Sequence, residues 1–91
     1  MSKRVYLYGF TELHHVVMCD YLTESRATAQ GMDYLAIYML ESRPDISNIY
    51  AVNNRPGLKD DFLDAIIRPH FTKDIEFEDL IQREKIRCWK R

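Results

Sequence analysis

Hydrophobic and polar positions along the chain alternate between a period of two and a helical period, and the changes mark the elements. Lys3 to Phe10 reads KRVYLYGF, dense in β-branched and aromatic residues, with Val5 and Leu7 on one side and Tyr6, Tyr8 and Phe10 on the other. That alternation predicts a strand. Thr11 and Glu12 separate it from LHHVVMCDYL, which fits two templates. As a helix it aligns Leu13, Val16, Val17 and Tyr21. As a strand it puts Leu13, His15, Val17, Cys19 and Tyr21 on one face and His14, Val16 and Met18 on the other. The Val-Val-Met-Cys run suits a buried strand and a new helical signal follows soon after, so the strand is preferred. The first two elements then form a hairpin.

From about Ser25 to Ser42 the apolar positions Ala29, Met32, Leu35, Ala36, Met39 and Leu40 share one stripe, with Arg26, Gln30, Asp33 and Glu41 opposite. This predicts an amphipathic helix, capped by Thr23 or Ser25 and ended before Pro44. Ile49 to Val52 reads as a short third strand, and Asn53-Asn54-Arg55-Pro56-Gly57 as a loop. Leu58, Phe62, Ala65 and Ile66 then recur at helical spacing until Pro69. In the tail, Asp74 to Phe77 alternates like a strand, while Phe77, Leu80, Ile81 and Cys88 fit a helical stripe from Glu78 to about Trp89. The expected fold is α+β: an antiparallel β-hairpin plus a third strand packed against two or three helices, ordered β-β-α-β-α with a C-terminal helix or strand.

With 91 residues, 46% of them hydrophobic, the chain supplies one core, so residues 1–91 form a single domain whose last few residues are expected to be loose. A formal net charge of -1 gives no global attraction to nucleic acid or to an anionic membrane. Charge is uneven locally. Asp74, Glu76, Glu78 and Asp79 precede Arg83, Lys85, Arg87, Lys90 and Arg91, a pattern of pairing at helical spacing. No apolar run has the length of a membrane helix, and Met1 to Arg4 leads into a patterned segment rather than a signal sequence. A cytoplasmic protein without membrane contact is expected, with Cys19 and Cys88 reduced and serving as packing residues.

Candidate chemistry is sparse. His14, His15 and Cys19, with His70 or Cys88, contain potential zinc ligands but no CxxC or HxxxH pair. Cys19 beside His15, or Cys88 among cations, lacks an orienting group for nucleophilic work. The Asp60-Asp61 and Glu76/Glu78 pairs suit solvent-facing positions better than acid–base roles, which require burial or a charged neighbour. Asn53 to Lys59 opens a helix but lacks the repeated glycines of a phosphate cradle. The expectation is no enzymatic activity, no cofactor and no metal.

Val5-Tyr6-Leu7-Tyr8-Gly9-Phe10 resembles the first-strand motif of RNA recognition motifs over these six residues. The resemblance implies a sheet-face aromatic that stacks a base. The second signature of that family, a Lys/Arg-Gly-aromatic run, is absent, and Ile49-Tyr50-Ala51-Val52 does not replace it.

Six Tyr, four Phe, four Met and one Trp exceed the needs of one small core, and such residues are enriched at interfaces. The leading expectation is therefore a small non-enzymatic protein-binding module. It would be an adaptor or inhibitor of the sort encoded by phages and mobile elements, with self-association into a homodimer as one form of partner. Its expected contacts are Tyr6, Tyr8, Phe10, Arg87 and Trp89. The alternative is a single-stranded nucleic-acid-binding domain using the strand-one aromatics and the basic C-terminal segment.

Overall fold

The computed structural model describes residues 4–53, Asp79, Gln82, Arg83 and residues 86–91. Four strands and one helix are formed among them: β1 (Arg4–Phe10), β2 (Val16–Thr23), α1 (Ala29–Ser42), β3 (Asn48–Asn53) and β4 (Arg87–Lys90). All neighbouring strands are antiparallel, in the order β2-β1-β3-β4. Because β2 and β3 both oppose β1, they run parallel to each other with β1 between them, and α1 carries the chain across one face.

This corrects the expected arrangement of three strands with two or three helices. The helix expected over residues 58–68 lies outside the described residues, and the C-terminal helix expected as far as Trp89 ends instead in β4. Asp79, Gln82 and Arg83 do take helical backbone. From Ile86 onward tertiary pairing decides: Trp89 lies opposite Ile49 and Cys88 opposite Tyr50, so side chains alternate with the period of the sheet. Ile86 and Cys88 pack on one face and Trp89 on the other.

The alternation in β1 divides the core in two. Val5 and Leu7 meet Leu22, Ile46, Ile49, Ala36 and Met39 beneath α1. Tyr8 and Phe10 meet Tyr50 and Val52 on the opposite face. Gly9 keeps room for Ile46, since a Cβ there would come within 3.0 Å of its Cδ1 atom. The hairpin turn is fixed by His14 N–H donating to the Thr11 carbonyl at 2.9 Å and Thr11 N–H to that of His15 at 3.0 Å. His14 has a φ of 64°, a region costly for most side chains. Accordingly, His14→Val should lower stability by about 1–2 kcal/mol while His14→Gly should not, as thermal melts would show.

α1 starts one turn later than its capping candidates suggest. Thr23 closes β2 and its carbonyl accepts the Arg26 N–H at 2.9 Å, so the chain is still turning there. Thr28 is the cap, its hydroxyl accepting the Gly31 N–H at 3.0 Å. A Cβ on Gly31 would meet the Arg26 carbonyl oxygen at 2.9 Å and the Thr28 hydroxyl at 3.0 Å. Gly31→Ala should therefore lower the melting temperature, although alanine is the better helix former by about 1 kcal/mol in an open helix.

Candidate functional site

Each expected contact residue has a definite place. Tyr8 and Phe10 are 2% and 0% exposed, and with Tyr50 they form the core of the face away from α1. Their position is the one alternation gives, but it is covered, with Ile86 among the packed residues. In the folded monomer they have no surface to offer a partner. Tyr6, next along, is half-buried, stacks on Tyr8 at 6.1 Å and meets the Tyr21 ring edge-on at 5.4 Å. The Arg4 guanidinium lies 5.2 Å from the Tyr21 ring centroid.

Arg87 and Trp89 lie on the α1 side of the sheet, away from Tyr6 and Tyr8. Arg87 donates to the Asp33 carboxylate, and the Trp89 indole N–H donates to the same oxygen at 2.8 Å. The Arg87 guanidinium also rests over the Trp89 ring, 5.0 Å from its centroid. One carboxylate on α1 thus fastens β4 to the helix. Arg91 completes the attachment by donating to the carbonyls of Ile46, Leu40 and Arg43 at 2.9, 2.7 and 2.7 Å. The Leu40 and Arg43 carbonyls lie at the end of α1, where carbonyls lack helical partners, and that of Ile46 lies in the loop leading to β3. Much of the described basic tail therefore holds the fold together.

The α1 surface opposite the core was hidden behind the core stripe in the sequence. Tyr34, Ile37 and Tyr38 are 75%, 50% and 58% exposed, at the i, i+3, i+4 spacing that puts side chains on one helix face. The signal was present, since an Ala36/Met39 stripe leaves residues 34, 37 and 38 on the far side. It was missed because a helix with one apolar stripe already satisfies its packing need.

The described histidines and cysteines do not gather. His14 and His15 sit in the hairpin turn before β2, and His70 lies outside the described residues. Cys19, Tyr8, Tyr50 and Cys88 form one row across the sheet, so the two cysteines are three strand spacings apart, about 14 Å. That separation is too wide for a disulfide between them. Among the described residues no group of three or more His, Cys, Asp or Glu is placed to hold a metal ion. No described helix is long and apolar enough to cross a membrane.

Two of the clefts that flank the sheet are lined by described residues. One, of about 490 Å³, lies between the hairpin turn and the loop after α1, lined by Glu12, His15, Asp45 and Arg91 among others. Arg43 makes two hydrogen bonds to Asp45, at 3.1 and 2.9 Å, and these hold the Asp45 carboxyl below the usual carboxylate range. The second cleft, of about 470 Å³, lies between β2 and the start of α1. No family model, curated protein or solved structure matches the chain.

Proposed function

We propose that the chain is a non-catalytic protein-binding module, an adaptor or inhibitor, whose contact face is the outer side of α1. The observation that carries this reading is the exposed Tyr34-Ile37-Tyr38 stripe. Tyrosine is favoured at interfaces because it buries a large area at little entropic cost and keeps a hydroxyl for the rim. Apolar residues at this spacing are also the anchors with which a helix enters a partner's groove. The roles expected of Tyr8 and Phe10 pass to this stripe, because those two are core.

Single-stranded nucleic acid is the less favoured partner. It needs aromatics and cations on a common surface. Tyr8 is buried, while Arg87 and Arg91 are engaged on the other side of the sheet.

A photo-crosslinking phenylalanine at position 38, in cells that make the protein, tests the proposal. Discrete protein adducts that diminish with Tyr34→Ser are the expected result. Adducts to nucleic acid, or none above those from a control position on a buried strand, would contradict it.

A further inference from the structure

Among the described residues β2 and β4 are the two edges of the sheet, and they are guarded differently. β4 has four residues and carries Arg87 and Lys90, with Arg91 next to it. Short, cationic edges discourage the addition of further strands. β2 has eight residues, contains neither a cation nor a proline, and carries Asp20 as its one charge. Cys19 and Tyr21 on it are exposed. The Tyr21 N–H donates to the carboxylate of its own neighbour Asp20 at 2.6 Å, so this amide faces away from β1. By alternation the N–H and carbonyl of Cys19 face the same open side. On this side of β2 the Asp20 carboxylate accepts the hydrogen bond that the carbonyl of a neighbouring strand would otherwise take.

We propose that a second copy of this chain supplies that strand, pairing antiparallel with β2 about a two-fold axis at Cys19 and joining the two four-stranded sheets into one. The surface differs from the α1 face above and does not depend on it. A two-fold contact must be self-complementary, and the sequence of β2 selects the axis. With the axis at Asp20, two carboxylates stand directly opposed, which destabilises a strand pair. With the axis at Met18, the register irregularity opposite Gly9 and Phe10 comes next to the centre and breaks the ladder there. With the axis at Cys19, small side chains meet at the centre and Met18 lies across from Asp20 of the second copy.

The cleft beside β2 fits this register. Leu22, Leu35, Arg26 and Asp20 line its volume of about 470 Å³. Met18 and Leu22 lie on the α1 face of the sheet, opposite Gly9 and Val5 respectively. Met18 of one copy is then the diagonal neighbour of Leu22 in the other, within reach of the cleft, and a flexible thioether fills irregular space well. When pairing takes the Tyr21 N–H, the released Asp20 carboxylate has Arg26 on the same cleft.

The test uses the full chain carrying Cys88→Ser. Light scattering across a concentration series should show the mass rising toward that of a dimer, and a short bis-maleimide should link Cys19 to Cys19, as identified by mass spectrometry. Cys19→Pro should abolish the dimer and retain the β-sheet circular dichroism, since an outward N–H on an edge strand contributes no ladder bond to the monomer. Asp20→Ala removes the competing cap and should tighten association several-fold, a gain that misfolding does not mimic. Tyr34→Ser should leave the dimer unchanged, which separates failure of this proposal from failure of the α1 reading. A monomer at every concentration overturns the proposal, as does a dimer that survives Cys19→Pro or weakens with Asp20→Ala. Binding of an unrelated extended peptide along β2 with no self-association also overturns it.

Discussion

Phe10→Ala should lower the stability of the domain by about 3–5 kcal/mol, the usual cost of truncating an aromatic in a closed core. Phe10 is 0% exposed and packs edge-on against Tyr50 at 5.5 Å. Removing the ring forfeits its burial and leaves a cavity that Tyr8, Val52 and Val16 are too constrained by their strands to fill. A loss of that size is a large share of the roughly 5–15 kcal/mol that holds a small domain folded. Urea denaturation is the measurement, and the midpoint should fall while the slope stays near that of the wild type. A change within about 0.5 kcal/mol, as for an exposed contact residue, would return Phe10 to the list of contacts.

Asp33→Ala should cost about 1–2 kcal/mol and should act mainly on β4. An exposed ion pair alone contributes little, and the Arg87 and Asp33 side chains are 37% and 45% exposed. The carboxylate oxygen also accepts the Trp89 indole N–H, so its loss leaves a half-buried donor without that partner. β4 pairs with β3 through only four residues, from Arg87 opposite Ala51 to Lys90 opposite Asn48. The expected signature is faster amide hydrogen exchange at Cys88 and Trp89 than in the wild type, with β1 and β2 protected as before. Uniform acceleration across the sheet would show that β4 is not separately fastened.

The early elements of this fold were legible in the sequence because one face of each must be buried, whereas the expected layering of two or three helices on three strands was not what forms. In β1 the alternation of Val5 and Leu7 with Tyr6, Tyr8 and Phe10 matches the two cores. The β-branched run at Val16 and Val17 marks β2, Ile49 to Val52 marks β3, and the Ala36/Met39 stripe marks the buried side of α1. Alternation shows which side of a sheet a residue points to, but not whether something covers that side. That is why Tyr8 and Phe10 read equally well as a surface and as a core. Local signals also left the start of α1 ambiguous. Thr23 and Ser25, the expected caps, are chemically able to cap, but the turn after β2 passes that place to Thr28.

β4 was not legible for a different reason. Arg87 to Lys90 holds two charged residues in four, and Cys88 happens to continue a helical spacing from Phe77. The strand exists because β3 offers an edge and because Asp33 and the end of α1 hold Arg87, Trp89 and Arg91. Those are long-range contacts, and no window of sequence around residue 88 contains them. The exposed stripe at Tyr34, Ile37 and Tyr38 was hidden in the same way, since periodicity assigns apolar residues to an interior without counting how many sides a helix can bury.

The most direct measurement pairs stability with partner capture in the Tyr34→Ser/Tyr38→Ser variant. Both side chains are more than half exposed, so the melting curve should move little, with a stability change within about 0.5 kcal/mol for each substitution. Capture of the protein crosslinked from position 38 in the wild-type domain should be lost when assayed by pull-down with this variant. Retained capture at unchanged stability would contradict a contact face on α1.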